Sequence, residues 1–134
     1  ALAHPDIIEK MGKFRPMYEV NSFAVEYARI LLQHAALVEE SVREANRIKE
    51  RFVGRLQASG LTVVPGRTNF VNIVVGRHHT GALIDHFEKN GILIRSGSSF
   101  GLLGECIRIS VGTEEAMQQA ADILERWYHD QGNA

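Results

Sequence analysis

The chain has 134 residues, of which 45% are hydrophobic and 23% are charged, and these proportions exclude a disordered, collagen-like or coiled-coil protein. Fifteen basic and sixteen acidic residues give a formal net charge of −1, so no excess of positive charge is available to drive nucleic-acid binding. No apolar run approaches the roughly 18 residues of a membrane span, and the single cysteine, Cys106, cannot form a disulfide within the chain, so we expect a cytoplasmic chain that binds neither nucleic acid nor membrane.

The first twenty residues predict a short helix followed by an irregular segment. A helix over residues 5–11 is expected because proline is tolerated in the first helical turn and Gly12 is a natural terminator. Pro16 then forces the preceding residue toward an extended conformation, so the chain cannot continue as a regular helix. We interpret residues 13–20 as a crossing segment or linker.

A long helical region is predicted at residues 23–57. It contains no proline, and its apolar side chains recur at intervals of three and four residues opposite a charged face. Either Asn21 or Ser22 is expected to cap its start. The spacing slips near His34, which predicts either one bent helix or two consecutive helices. A helix of this length often bridges two domains.

The rest of the sequence alternates between short strands and helices. Strands are predicted at residues 61–65, 69–75, 92–95 and 105–111, and helices at residues 79–90 and 113–128, capped by Thr80 and Thr113. Residues 69–75 are β-branched and apolar on both faces, which is typical of a central strand. In the last strand, side-chain alternation puts Arg108 on the face opposite to Ile107 and Ile109. This order predicts an α/β (α+β) sandwich, in which a small mixed or antiparallel sheet has helices packed mainly on one face and follows the long helix.

Two arginines on strands are the candidate binding residues. Arg108 lies in the middle of an apolar strand, and Arg95 ends another strand beside a loop rich in glycine and serine. A guanidinium in such a strand is costly unless an anion pairs with it, and its planar fork suits a carboxylate or a phosphate. A structural ion pair with a glutamate or aspartate is the alternative, and from spacing alone it is the more common arrangement.

The other residues with chemical potential have simpler interpretations. His78, His79 and His86 lack a carboxylate or thiol at ligand spacing, so no metal site is expected and they are interpreted as solvated. Cys106 has the neighbours of a core strand and is interpreted as a buried, inert thiol. The loop at residues 96–104 has the spacing of neither a dinucleotide-binding fingerprint nor a P-loop, so we interpret it as a connector.

Five short segments form a pattern through their order rather than through any single match. They are ALAHPDII at residues 1–8, RPMYEVNS at 15–22, P-x-x-x-N-F at 65–70, GILIR at 91–95 and IRISVGT at 107–113. In this order they resemble the C-terminal small domain of fold-type-I, pyridoxal-phosphate-dependent aminotransferases of class I/II, and most closely that of histidinol-phosphate aminotransferases. The resemblance covers nearly the whole chain.

The resemblance implies roles for two arginines and two asparagines. The position of Arg108 anchors the α-carboxylate of the amino acid in this family, and the position of Arg95 contacts the phosphate or another distal group of the substrate. Asn21 and Asn69 fall in matching motifs and are candidate structural or interdomain residues.

The resemblance also implies a division of the chain and a missing partner domain. Residues 1–20 correspond to a short helix and a crossing segment that come from a large domain absent from this chain, and residues 21–134 correspond to the small domain. The family's cofactor, pyridoxal 5′-phosphate, is bound by a lysine upstream of the small domain. None of the four lysines here has that sequence context, so no catalytic residue is expected in this chain and the fragment alone should be inactive.

The implied activity is transfer of an amino group between an amino acid or amine phosphate and a 2-oxo acid. The implied partners are a small-molecule substrate, the large cofactor-binding domain and a second copy in a homodimer. One alternative is a threonine-phosphate decarboxylase-like domain, which residues 94–100 also resemble, although Gly112 and Thr113 favour the aminotransferase. The other is a non-catalytic interaction module whose long amphipathic helix binds a partner.

Overall fold

The computed structural model of the chain describes residues 2–16, 20–76, 78–97 and 105–132. The chain divides into two compact units, Ala1–Glu39 and Glu40–Ala134. No helix in these described ranges is long and apolar enough to cross a membrane.

The first unit is helical. Helix α1 spans Pro5–Gly12 and helix α2 spans Ser22–Gln33, and neither contains a buried residue. Asn21 caps α2, because its side-chain oxygen accepts a hydrogen bond of 2.8 Å from a backbone N–H in the first turn. Helix α2 ends at Gln33, His34 follows as its C-terminal cap, and helix α3 begins directly after it over Ala35–Ala58. The irregular spacing near His34 therefore separates two helices, as the second of the two sequence-based alternatives predicts.

The second unit contains a four-stranded sheet with the strand order β1-β2-β4-β3, in which every neighbouring pair is antiparallel. The strands are β1 at Thr62–Val64, β2 at Phe70–Val74, β3 at Arg95–Ser96 and β4 at Cys106–Ser110. Strand β2 has a partner on each side, which confirms the predicted central strand. The prediction of a mixed or antiparallel sheet resolves to an antiparallel one.

The third strand is shifted from its predicted position at residues 92–95. It begins only at Arg95, and residues 92–94 have no regular structure. The reason lies in the end of the preceding helix, where Gly91 has a positive φ of 78° and the Ile92 N–H donates to the Phe87 carbonyl at 3.0 Å. This helix-terminating bond uses a backbone donor that a strand would need for its ladder.

Three helices cover one face of the sheet. They are the second half of α3, helix α4 at Thr80–Lys89 and helix α5 at Glu114–Gly132. Their buried side chains form one hydrophobic cluster with the strand residues Val71, Ile73, Ile107 and Ile109. Because alternate residues of a strand point to opposite faces, the other side chains of β2 and β4 lie on the opposite side, which we call the open face.

Two predicted helix boundaries differ in the structure, whereas one cap is confirmed. Thr113 caps α5 by accepting a hydrogen bond of 3.3 Å from the Ala116 N–H. Thr80 does not cap α4, because it is the first helical residue and its hydroxyl donates to the Gly76 carbonyl at 3.1 Å. Gly76 adopts a positive φ of 82°, a turn that brings its carbonyl within reach of the hydroxyl. Helix α5 extends to Gly132, beyond its predicted end at residue 128. The prediction stopped too early because the last turn is polar and shows no apolar periodicity.

Polar contacts join α3 to α5 along what we call the α3–α5 seam. Arg55 of α3 donates to both carboxylate oxygens of Glu125 at 2.9 and 2.6 Å and to Asp122 at 2.5 Å. The Ser59 hydroxyl donates to Glu125 at 2.8 Å. These contacts raise the pKa of Arg55 above its ordinary value, and the Arg55 guanidinium lowers the pKa of Glu125.

Candidate anion-binding site

The register of the sheet brings three polar residues side by side. In the middle of β4, Arg108 lies directly opposite Asn72 of β2 on one side and directly opposite Arg95 of β3 on the other. Residues that are directly opposite in antiparallel strands project from the same face. We call these three residues the polar row, and it crosses the open face of the sheet.

A shallow depression of about 340 Å³ lies over this part of the open face. Its lining residues are Leu93, Ile94, Arg95, Arg108 and Ser110. Arg95 is exposed and Arg108 is half-buried. The guanidinium carbon Cζ of Arg108 lies over the ring of Phe70, 4.8 Å from the ring centroid. The two arginines are therefore accessible from one side, while Arg108 is also packed against an aromatic face.

Neither arginine of the polar row has a carboxylate partner among the described residues. Other arginines do have such partners, namely Arg29, Arg47, Arg51 and Arg55. Like charges directly opposite each other in a sheet repel and destabilise the pairing. An anion bound between the two guanidinium groups would remove that repulsion. The alternative of a structural ion pair thus has no partner in the described parts of the chain.

Two asparagines named from the sequence have local structural positions. Asn21 caps α2, as described above. Asn69 is exposed directly before β2, and its carbonyl accepts a hydrogen bond of 2.9 Å from the Val111 N–H. An interdomain role for either residue stays a prediction.

Neither Cys106 nor His78, His79 or His86 lines the depression over the polar row. The Cys106 side chain is fully buried, and burial raises the pKa of its thiol, so the thiol is protonated at neutral pH. His78, His79 and His86 are exposed, and the His79 ring packs edge-on against Trp127 with 5.6 Å between ring centroids. In the described ranges, no three His, Cys, Asp or Glu residues are close enough to hold a metal ion. The loop residues 98–104 lie outside those ranges.

The sequence predicts no functional role for Asn72 or for Phe70, although Phe70 belongs to the P-x-x-x-N-F segment. The interpretation of residues 69–75 as apolar on both faces overlooked the amide of Asn72, which stands in the middle of the strand. Alternation was the available signal, because it puts Phe70 and Asn72 together on the face opposite to Val71 and Ile73. That they adjoin Arg108 depends on the cross-strand register, which no local pattern specifies.

An antiparallel sheet backed by helices, with two arginines on its open face that have no carboxylate partner in the described ranges, defines a mixed α/β domain with a cationic sheet surface. The family model for aminotransferase class I and II matches residues 1–124. The chain therefore belongs to the class I and II aminotransferase family.

Curated relatives narrow the similarity within this family. The chain is 29% identical over 128 residues to the histidinol-phosphate aminotransferase of Vesicomyosocius okutanii subsp. Calyptogena okutanii, a match that covers 95% of this chain and 36% of that protein. It is 28% identical over 127 residues to the histidinol-phosphate aminotransferase of Pseudomonas putida, with coverages of 92% and 36%. The chain thus spans about a third of the length of these relatives.

Solved structures share the fold. Histidinol-phosphate aminotransferase from Sinorhizobium meliloti, solved in complex with pyridoxal-5′-phosphate, matches 91% of this chain and 34% of its own with a TM-score of 0.76 and 25% identity. A decarboxylase from Sulfurospirillum multivorans matches 93% of this chain and 37% of its own with a TM-score of 0.64. Its identity is 22%, so that likeness concerns the fold alone.

Proposed function

We propose that this chain is the substrate-binding small domain of a pyridoxal-phosphate-dependent aminotransferase of the histidinol-phosphate aminotransferase type. The complete enzyme transfers an amino group between an amino acid or amine phosphate and a 2-oxo acid. Residues 21–134 form the small domain, and residues 1–20 are the helix and crossing segment that lead into it from the large domain. The observation that carries the proposal is the side-by-side arrangement of Arg95 and Arg108 on the open face, where no described carboxylate pairs with either of them.

The two arginines have different tasks in this proposal. Arg108 comes from a central strand and is half-buried, so its backbone is held in place and its side chain is partly shielded from water. These conditions suit bidentate binding of the substrate α-carboxylate by the guanidinium fork. Arg95 lies on the edge strand and is exposed, so it can accommodate distal anionic groups of different sizes, including a phosphate.

The two lysines of the second unit do not fit the anchor of the cofactor. Pyridoxal phosphate supplies the electron sink of such an enzyme and is held through a lysine. In the second unit, Lys49 donates instead to two backbone carbonyls of the loop before β2, at 2.6 and 2.8 Å. Lys89 lies in the last turn of α4, and neither lysine lines the depression over the polar row. We assign the anchoring lysine and the other catalytic groups to polypeptide outside these 134 residues, since the chain spans about a third of its relatives.

The first unit supports a large-domain partner. Apolar side chains are exposed along α2, with exposed fractions of 80% for Phe23, 55% for Tyr27, 43% for Ile30 and 38% for Leu31. Contiguous exposed apolar surface marks an interaction site. In the complete enzyme, which we propose to be a homodimer, this surface packs against the large cofactor-binding domain.

The isolated 134-residue chain tests both assignments. It should self-associate in light scattering, because the apolar surface of α2 lacks its partner. Borohydride reduction in the presence of pyridoxal phosphate should leave no single lysine stoichiometrically labelled. A clean monomer at high concentration contradicts the first assignment, and specific labelling of one of the four lysines contradicts the second.

Replacing Arg108 in the complete polypeptide tests the substrate site. Loss of one member of a buried charge pair typically costs roughly 2–5 kcal/mol. At about 1.36 kcal/mol per decade, Arg108→Ala should lower kcat/KM for an amino acid donor by roughly 30-fold to several-thousand-fold. Arg108→Lys should recover only part of this, because lysine keeps the charge and loses the fork.

Arg95→Ala is the matched comparison. It should weaken the use of donors with an anionic distal group and leave small neutral amino acids nearly unaffected. If Arg108→Ala keeps near-wild-type kcat/KM on both a phosphorylated and a neutral donor, the carboxylate assignment is wrong.

A further inference from the structure

The aromatic ring of Phe70 contacts the guanidinium of Arg108. In β2, Phe70 lies opposite Ser110, one side-chain position along the open face from the pair formed by Asn72 and Arg108. Such diagonal neighbours are within reach of long side chains. The separation of 4.8 Å between Cζ of Arg108 and the ring centroid is within the range of a cation–π interaction.

An aromatic contact orients a guanidinium without using its hydrogen-bond donors. A carboxylate partner inside the chain would occupy the N–H fork and compete with an incoming carboxylate. The ring of Phe70 contacts the guanidinium through a face and offers no strong acceptor, so the N–H groups in the guanidinium plane remain available for a ligand. In the described parts of the chain, Arg108 has this aromatic contact and no ion pair.

The backbone that carries Phe70 is itself held in place. The Phe70 carbonyl accepts a hydrogen bond of 3.2 Å from the Thr68 hydroxyl. Lys49 of α3 fixes the same loop through the carbonyls of Gly66 and Thr68, at 2.6 and 2.8 Å. The ring therefore projects from a fixed base, which is what a group that positions another side chain requires.

We infer that Phe70 is a positioning residue, whose ring holds the Arg108 guanidinium in the orientation that receives the α-carboxylate of the substrate. The inference rests on the proposed function of Arg108 and adds Phe70 to the two arginines of the substrate site. Phe70 does not contact the reacting atoms in this arrangement. It limits the rotamers of Arg108 and so lowers the ordering cost of binding.

The experiment uses the complete polypeptide and two amino donors, an amino acid and the amine that lacks its α-carboxylate. Phe70→Leu keeps an apolar side chain and removes the ring. For the amino acid, KM should rise about 5- to 10-fold with little change in kcat, since a cation–π contact is worth about 1 kcal/mol and acts on binding. For the amine, KM should stay within about twofold of wild type. Phe70→Tyr should restore the wild-type KM for the amino acid.

A graded series addresses the possibility that Phe70→Leu perturbs the sheet. Replacing Phe70 by fluorinated phenylalanines nearly preserves the shape and weakens the negative face of the ring. The KM for the amino acid should rise with each added fluorine, which a purely structural role would not produce. Val74→Ala is the control, because Val74 is half-buried on the same face of the same strand and pairs with Cys106 rather than with the polar row.

Distinct outcomes overturn the inference and the proposed function. Two results would show that Phe70 does not position Arg108: an equal change in KM for both donors in Phe70→Leu, or a KM for the amino acid that does not change with fluorination of the ring. If Arg108→Ala lowers kcat/KM for the amino acid while Phe70→Leu leaves it unchanged, the inference fails and the proposed function stands. If Arg108→Ala itself leaves the amino acid donor unaffected, the proposed function fails.

Discussion

The α3–α5 seam and the open face of the sheet use the same side chain in opposite ways. In the seam, the guanidinium of Arg55 pairs with the carboxylates of Glu125 and Asp122, so its charge is neutralised within the chain. On the open face, Arg95 and Arg108 face each other with no carboxylate partner among the described residues. The comparison indicates that an arginine is available to a ligand where the fold places no carboxylate beside it. The cost is that two adjacent positive charges weaken the pairing of β3 and β4.

Among the changes that would make the two regions more alike or break one of them, the largest effect is expected from placing on the open face a carboxylate like those of the seam. Asn72→Asp would put a carboxylate directly opposite Arg108, where it can pair with the guanidinium. The new carboxylate competes with the substrate for the Arg108 guanidinium and lowers the net charge of the polar row by one. We expect kcat/KM for an amino acid donor to fall roughly 10- to 100-fold, equivalent to about 1.4–2.8 kcal/mol, while the midpoint of urea unfolding does not decrease.

The neutral variant Asn72→Leu separates pairing from simple loss of the amide. It should lower kcat/KM much less than Asn72→Asp does. Equal losses in the two variants would mean that the amide itself matters and that Arg108 is not captured by the new carboxylate.

A smaller effect is expected from breaking the seam. Arg55→Ala removes the charged donor that serves Glu125 and Asp122, so the free energy of unfolding should fall by about 1 kcal/mol. The figure stays low because the Arg55 side chain is 39% exposed and its ion pairs are screened by solvent. Urea denaturation of the complete polypeptide measures this loss. Steady-state kinetics should not change, and a selective loss for amino acid donors would refute the division between the two regions.

The pH dependence of the same variant provides a check. Arg55 lowers the pKa of Glu125 below its ordinary value, so the folded state binds the ionised carboxylate more favourably than the unfolded state does. This contribution is present above the unfolded pKa of about 4.3, and it is lost as the pH falls through the lower folded pKa. The stability difference between wild type and Arg55→Ala should therefore shrink in acid. Arg126→Ala is the matched control, since Arg126 donates to a carbonyl of its own helix at 3.1 Å and has no carboxylate partner among the described residues.

Much of the fold follows from local pattern. The alternation of apolar and polar residues in β4 predicts both the strand and the face on which Arg108 lies. The change in helical spacing near His34 predicts the irregularity there, and the structure has two consecutive helices. The predicted start of β3 at residue 92 is wrong because the helix-terminating bond at Ile92 competes with the sheet for the same residues. The predicted cap at Thr80 is wrong because its hydroxyl donates to a carbonyl outside the helix.

The site was predictable only in part. A guanidinium in an apolar strand is visible in the sequence, and so is the resemblance that gives it a role. Three features depend on how β2, β3 and β4 align: the lack of a carboxylate partner among the described residues, the opposition of Arg95 and Arg108, and the contact of Arg108 with Phe70. That alignment is set by contacts between residues far apart in the chain, and local periodicity does not encode it.

The side-chain period of two in β4 has a consequence for how errors in folding are excluded. A slip of one residue in the pairing of β4 would turn Ile107 and Ile109 toward water and drive the Arg108 charge into the hydrophobic cluster. The charge of Arg108 therefore also disfavours misaligned pairings of the strands. The hydrophobic cluster and the polar row therefore depend on the same strand register. A correctly folded chain presents both arginines on the open face before any ligand binds.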